Sequence, residues 1–554
     1  MNLKTFLEHF DTIAEAPGGI SKLRSLFLDL AVRGKLVPQN PEDEPAIKLL
    51  KKAQLSRLTN NTKKKSANAT QLLSFQKDIP VGWIRCELGE LVELVSGQHL
   101  LAEQQNSCGV GIPYLTGPSD FGEIYPKASR WTTVERAIAI QGDILVTVKG
   151  AGVGKTNILS LDKVAIGRQL MAIRANYIFS EFIYLLIQAR RDYLFECSLG
   201  TTVPGIGRED ILKMQCLLPP LAEQKRIVEK VDELMGLCDR YESAKQARDN
   251  LRQKLRESAI ASLMNAETDR DLDATWAFVR DNWHNLSQHP EDVGELREVT
   301  LQLAVRGKLV SQNFNDEPAS ALLERVQIEK QSLLEAETIK KYASLSPTLK
   351  DEKLFLLPAN WEWVRGQDIS IFVTSGSRGW AKYYSSSGAI FIRIGNLDYG
   401  KIELDLESIQ FVKPPEGAEG TRTRVSCNDI LISITGDTGM IGLVRSEMPE
   451  AYINQHIALL RPVRCIYAEY IARFLTSNFA LKQLKGAQRG IKNSLGLEDI
   501  RNLVISLPPL AEQKRIVAKV DELMQLCDRL ETSLRESQQR AESLAASAVS
   551  HLTI

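Results

Sequence analysis

The chain shows no excess of charge: Lys and Arg number 69, Asp and Glu 69, and the formal net charge is zero. A basic surplus is the usual footprint of a nucleic-acid binder. Its absence removes that easy argument but not the partner, because a cleft can be locally basic and other subunits can supply charge. Histidine is scarce, with residues only at 9, 99, 284, 289, 456 and 551, and no His/Cys spacing suits a metal. The cysteines at 86, 108, 197, 216, 238, 427, 465 and 527 include no Cys-x-x-Cys pair, which fits reduced thiols in a cytoplasmic protein. No apolar run approaches the ~18 residues of a membrane span. Met1 to Ile20 carries acids and lacks the apolar core of a signal peptide. There is no Gly-x-Ser-x-Gly elbow. An adenine methyltransferase would carry Asn-Pro-Pro-aromatic or Asp-Pro-Pro-Tyr, for which Leu218-Pro-Pro-Leu221 and Lys413-Pro-Pro-Glu416 do not substitute. Nothing here argues for catalysis.

What the chain does have is a duplication. The stretch from Leu218 to Glu242 returns as Leu507 to Glu531, differing only at Ala518, Gln525 and Leu530. Leu30-Ala-Val-Arg-Gly-Lys-Leu-Val-Pro-Gln-Asn40, with Asp43-Glu-Pro-Ala46 after it, returns as Leu303 to Asn313 and Asp316 to Ala319, with Ser311 for Pro38. Glu531 lies 289 positions after Glu242 but Asn313 only 273 after Asn40, so the intervening middles diverged in length as well as sequence. Each half reads as an entry block, a divergent middle and an exit helix. Near-identical parts must meet identical partners or each other, and divergent parts meet different targets. The pattern predicts a pseudo-twofold molecule that does one thing twice.

With 44% hydrophobic and 25% charged residues the composition is globular. Residues 1–58 read as helical, with Leu23, Leu26, Leu30, Leu49 and Leu50 as a partial stripe. Asn60 to Thr70 reads as a polar, solvated linker, with a lysine run that could instead touch phosphate. From Ile79 the texture becomes short apolar runs separated by Gly, Pro and Ser. Gly142 to Val148 reads as a strand, matched by Asn428 to Ile434. Trp83 matches Trp361, Ile112–Leu115 matches Ile390–Ile394, Ile166-Gly-Arg-Gln169 matches Ile453-Asn-Gln-His456, and Gly207–Ile211 matches Gly496–Ile500. The fold expected is mixed α/β, with two such domains separated by long helices. The boundaries expected are 1–76 (helical entry region), 77–218 (first middle domain), 219–350 (central helical region with the second entry block), 351–507 (second middle domain) and 508–554 (exit helix).

Pro219-Pro220 and Pro508-Pro509 mark helix starts. After them Ile227, Val231, Leu234, Cys238 and Tyr241 alternate spacings of four and three, as do Ile516, Val520, Leu523, Cys527 and Leu530. That is a coiled-coil seam. The helices should reach about Met264 and Val549, spanning roughly 60 Å each. Matching seams predict that they pair with each other, antiparallel, as a spacer between the middle domains.

Lys149-Gly-Ala-Gly-Val-Gly-Lys-Thr156 resembles a phosphate-binding loop after a strand. The spacing fails, because Lys149 stands where the first glycine is required, and the counterpart Thr435 to Gly442 has no Gly-Lys-Thr. What the two share is a glycine-rich turn that lets backbone approach a ligand. The divergent loops carry planar polar groups suited to base edges. Candidates in the first half are Lys149, Arg168, Gln169, Thr201 and Thr202. In the second they are Arg378, Arg393, Asn396, Thr435, Thr438, Gln455, Arg489, Lys492 and Asn493.

The architecture and motifs resemble the DNA-specificity subunit of Type I restriction–modification systems. The resemblance covers almost the whole chain. It rests on the twice-occurring Leu-Pro-Pro-Leu-Ala-Glu-Gln-Lys-Arg-Ile-Val start, each copy after a domain bearing Gly-x-Glu-Asp-Ile, and on Gly200–Gly205 and Gly490–Leu495. It implies a non-catalytic chain whose two target-recognition domains each read half of a bipartite site in double-stranded DNA. It implies a spacer that sets the gap and flanks that dock two methyltransferase subunits, with restriction subunits joining that complex. No cofactor is expected on this chain; S-adenosylmethionine, ATP and magnesium would belong to the partners. The competing readings are a coiled-coil adaptor without DNA recognition and a nucleotide-binding enzyme using Lys155 and Thr156.

Overall fold

The computed structural model describes residues 10–60, 79–150, 152–198, 205–266, 268–339, 345, 355–414, 420–445, 448–489 and 493–553. Its contacts divide into two units, residues 1–248 with 537–554, and residues 249–536. Among the described residues no helix is long and apolar enough to cross a membrane, and no cluster of His, Cys, Asp and Glu could hold a metal ion.

Unit 1 opens with helices α1 (Gly19–Val32) and α2 (Ala46–Asn60). Its middle domain follows. β1 (Ile84–Glu87) pairs antiparallel with β10 (Gln215–Leu218) and closes the domain just before Pro219. One four-stranded sheet has the order β2 (Val92–Ser96), β9 (Leu170–Ala175), β6 (Ile144–Thr147), β7 (Thr156–Ile158). The other has β4 (Trp131–Thr132), β3 (Ile112–Leu115), β8 (Lys163–Ile166), β5 (Ile138–Ile140). Helices α3 (Ser180–Ala189), α4 (Arg191–Cys197) and α5 (Arg208–Leu212) precede β10, and α6 (Leu221–Asn265) leaves the domain.

Unit 2 repeats the plan. Helices α7 (Asp269–Leu286), α8 (Val293–Val305) and α9 (Ala319–Glu335) form its entry region. β11 (Glu362–Arg365) pairs with β20 (Val504–Leu507) as the closing ribbon. The sheets run β12 (Ser370–Ser375), β19 (Ile457–Pro462), β16 (Ile430–Ser433), β17 (Ile441–Leu443), and β13 (Tyr384–Ser385), β15 (Gln410–Val412), β14 (Ala389–Ile392), β18 (Ala451–Ile453). Helices α10 (Ala468–Leu475), α11 (Asn478–Gly486) and α12 (Leu497–Asn502) lead to α13 (Leu510–Thr553). The architecture is mixed α/β with an internal duplication.

The duplicated strands β6 and β16 are buried on both faces, which is why they read as unbroken apolar runs. Side chains alternate across a strand, so Ile144 and Val146 face the helical core while Leu145 faces the second sheet. Ile430 and Ile432 part from Leu431 in the same way. Before each strand Gly142 or Asn428 takes a positive φ, 85° and 70°. The next residue is a buried aspartate held by two-pronged arginine bonds. Arg174 reaches Asp143 at 3.0 and 2.8 Å, and Arg461 reaches Asp429 at 2.6 Å twice. Strand pairing also corrects one match read from the sequence. Leu115 pairs with Ile166, and Ile392 with Ile453. The counterpart of Ile112–Leu115 is therefore Ala389–Ile392, and Ile394 lies beyond the strand in a 3-10 turn.

The near-identical blocks meet each other. In unit 1 the entry turn places Gly34 at φ 70°, where a Cβ would stand 2.6 Å from Pro80 and 2.9 Å from Trp83. The Trp83 indole donates to Glu223 at 2.9 Å, Gln39 donates to the Gly34 carbonyl at 2.8 Å, and Arg226 donates to Asp43 at 2.6 Å. Gln224 accepts from the Phe179 amide and donates to the Pro219 carbonyl. Unit 2 repeats every contact with Gly307, Trp361, Glu512, Gln312, Arg515, Asp316, Gln513, Tyr467 and Pro508. Arg24 grips Asp239 and Glu242 as Arg297 grips Asp528 and Glu531. Much of the sequence identity between halves is thus the lock joining entry block, domain and exit helix.

That lock divides the predicted seam. Ile227 and Val231 pack into their own domain's core, and Ile516 and Val520 do the same. Only beyond them does the spacer begin. In unit 1 Leu234, Cys238 and Tyr241 of α6 share a cluster with Phe10, Ile13, Leu23, Ala541 and Ala545. In unit 2 Cys527, Leu530 and Leu534 of α13 share one with Ala259, Leu263, Val293 and Leu296. The early part of each long helix meets the late part of the other, the antiparallel order. Entry helices complete both bundles, so the seam is not a two-stranded coil along its whole length. Leu523 is only half-buried.

Candidate functional site

One edge of each middle domain gathers the loops that the sequence singles out. In the first domain the loop after β2 joins the tip after β8 through the Gln98 amide, which donates to Ile166 at 2.9 Å. The Gly167 amide ties that tip to the end of β3 by donating to Leu115 at 2.8 Å. The Val148 amide donates to Gln169 at 2.8 Å, and the Ile206 amide donates to Val148 at 2.9 Å. The second domain rebuilds the edge bond for bond. Ser377 donates to Ile453, Asn454 to Ile392, Ile434 to His456 and Leu495 to Ile434, at 3.3, 3.0, 2.9 and 2.9 Å. Backbone fixes the edge and side chains differ on it. One backbone frame is used twice with different side chains.

Most candidates lie on this edge. Lys149 is exposed on the turn after β6 and bridges to Gly205; Thr435, half-buried, bridges to Ser494 in the same place. Arg168 and Gln169 are exposed on one tip, with Gln455 exposed on the other. Arg378 is exposed beside Ser377, which bridges to Asn454. Arg393, half-buried, shares a pocket of about 420 Å³ with Ser408, Asn454 and His456. Arg489 and Ser494 exchange backbone hydrogen bonds at 3.0 Å, with Asn493 at φ 46° beside them. Thr201, Thr202 and Lys492 lie outside the described residues, as do the lysines of the 60–70 stretch.

Two candidates are not available to a ligand. Asn396 is buried; its side chain accepts from the Arg393 amide at 2.8 Å and donates to Asp405 at 2.8 Å and Ser408 at 3.2 Å. It is a turn-former. Thr438 is buried, its hydroxyl bonded to Gln488 and its carbonyl to the Tyr399 hydroxyl. Arg489 is exposed but ion-paired, donating to Asp499 at 2.8 Å.

Three residues of this edge escaped the sequence reading. Gly97 and Gly376 donate equivalently to Leu170 and Ile457, each at 3.0 Å, so exposed Gln98 and His99 are the counterparts of Ser377 and Arg378. The repeated Ser-Gly of Ser96-Gly97 and Ser375-Gly376 was the signal. His456, the counterpart of Gln169, is the third.

The glycine-rich turn spends three of its amides internally. A phosphate-cradling loop needs backbone amides free to donate. Here those of Val153, Gly154 and Lys155 donate to Gly150, Thr147 and Gly152 at 3.2, 3.0 and 3.0 Å. Lys155 and Thr156 instead border a groove with Ser25 and Asp29 of α1.

Comparison with known proteins gives the family. The family model described as the Type I restriction modification DNA specificity domain matches residues 80–248 and 391–538, more than half of the chain. The chain is 28% identical over 550 residues to the Type I restriction enzyme EcoAI specificity subunit of Escherichia coli, spanning 95% of this chain and 92% of that protein. Against the EcoEI specificity subunit of Escherichia coli it is 28% identical, with 95% and 93% covered. The crystal structure of an HsdS subunit from Thermoanaerobacter tengcongensis is 19% identical, with a TM-score of 0.41 over 86% of this chain and 97% of that one.

Proposed function

The chain belongs to the Type I restriction modification DNA specificity family, and from that premise we propose that each recognition domain reads one half of a bipartite site in double-stranded DNA. The observation that carries this reading is the duplicated edge. One backbone scaffold presents Lys149, Arg168 and Gln169 in one copy and Arg378, Arg393, Gln455 and Arg489 in the other. Equal scaffolds with unequal side chains suit two different words. Guanidinium and amide groups are the ones that match purine edges in the major groove.

The chain itself does no chemistry in this reading. Two copies of a methyltransferase subunit dock on the repeated helices, bringing S-adenosylmethionine and its adenine chemistry, and restriction subunits with ATP and magnesium join through that complex. Neutral overall charge supports a shared electrostatic role, because phosphate contacts dominate affinity and the partners would supply many of them. The long helices set the untouched gap between the half-sites.

Methylome sequencing of a host expressing the chain with its neighbouring methyltransferase tests this. The expected result is a single bipartite motif with methyladenine in both halves, lost when this chain is deleted. No new motif, from a methyltransferase active with another specificity subunit, would instead support an adaptor without DNA recognition.

A further inference from the structure

A glutamine that reads a base must first settle which way its amide faces. Turning it half a revolution exchanges the donor and acceptor it offers. Gln455, at the exposed tip between β18 and β19, has a partner for its amide: its Nε2 lies 3.0 Å from Nε2 of His456. An amide nitrogen has no lone pair to accept with, so Gln455 donates. An imidazole with its proton on Nδ1 accepts that N–H at Nε2. His456 is itself anchored: its amide donates to Asn454 Oδ1 at 3.1 Å and its carbonyl accepts from Ile434 at 2.9 Å.

With one N–H spent on the imidazole, Gln455 presents one outward N–H beside the two lone pairs of Oε1. A paired donor and acceptor complements the adenine edge in the major groove, where N7 accepts and N6 donates. The neighbouring pocket of about 420 Å³ holds His456 with Arg393, Ser408 and Asn454. No ion pair or side-chain hydrogen bond engages the Arg393 guanidinium among the described residues, so a cation awaits an acceptor-rich ligand beside the amide. The first domain lacks this arrangement. There Gln169 replaces His456 and lies over Gly117, with Oε1 2.1 Å from where a Cβ would stand. Arg168 replaces Gln455 and, having only donors, has no orientation to fix.

We propose that His456 is a positioning residue that holds the Gln455 amide to read one adenine of the second half-site. This rests on the chain being a bipartite DNA reader. The test uses the full chain with its methyltransferase, scored on duplexes carrying each base in turn at every position. Gln455→Ala and His456→Ala are both expected to relax the preference for adenine at the same single position by about tenfold. The first half-site should stay unchanged, which reports that the variants are folded. His456→Gln, which can place an amide oxygen near the lost Nε2, should retain the preference. The proposal is overturned if Gln455→Ala relaxes one position while His456→Ala relaxes none. It is equally overturned if neither variant relaxes any, if the base at stake is not adenine, or if His456→Ala weakens all second half-sites alike. A wild-type complex without any bipartite preference would sink the functional reading itself, an outcome distinct from all of these.

Discussion

The indole of Trp361 donates a 3.0 Å hydrogen bond to Oε2 of Glu512, a carboxylate only 1% exposed. Trp83 and Glu223 form the same bond in the other half at 2.9 Å. Burial pushes both carboxylates above the ordinary range, against the pull of the indole, the neighbouring glutamine and the nearby arginine.

Trp361→Phe removes one donor from a buried acceptor and should cost about 1–3 kcal/mol, read from urea unfolding.

The pH dependence has opposite signs at two sites. Glu512 titrates above its unfolded value, so its contribution is greatest below that value and is lost as pH rises through the folded one. Glu512→Gln should flatten the decline in unfolding midpoint above pH 4.5. Glu15, bonded by Arg248 and Tyr241, is lowered from 4.5 to about 2, so its contribution is lost as pH falls across that window. Glu15→Gln should leave less to lose on the acid side.

Lys149 is exposed on the turn after β6 of the first domain, where its ammonium can reach a phosphate as well as a base. Lys149→Ala should weaken binding to all first half-sites about equally and reduce the salt slope by about one. Arg489→Ala should weaken only the second half-site. A titration against duplexes with one half-site scrambled separates the two.

The packing of the two long helices constrains how either can be lengthened. Adding one helical turn to α6 alone would pull its late residues out of step with the α13 residues they meet. Matched insertions, after Arg248 in α6 and after Glu536 in α13, should alter the tolerated gap and leave both half-sites unchanged. Methylation of a library with variable gap lengths reports this.

The duplication, the fold class and the edge loops were legible because they are written as repeats and as short unbroken apolar runs. What a side chain spends its hydrogen bonds on was not. Asn396 and Thr438 have the chemistry of base readers, yet turn geometry consumes them. The seam of α6 and α13 keeps its spacing across two different environments, because a 3.5-residue stripe fits a domain core as well as a helix partner. His99 and His456 were hidden for different reasons. Nothing beside the repeated Ser-Gly announces His99, whereas His456 stands opposite Gln169 in the matched tetrapeptides and was passed over for its chemistry.

The lock around Gly34 and Gly307 has a consequence for how such a chain changes its word. Trp, Gly, Gln, Glu and Arg meet in the same way in both halves, so nothing in that lock depends on which reader it carries. A reader exchanged between Trp83 and Leu218, or between Trp361 and Leu507, meets the same sockets. New specificity can therefore be acquired as a cassette, without re-evolving the frame, and exchanging the two cassettes should transpose the half-sites.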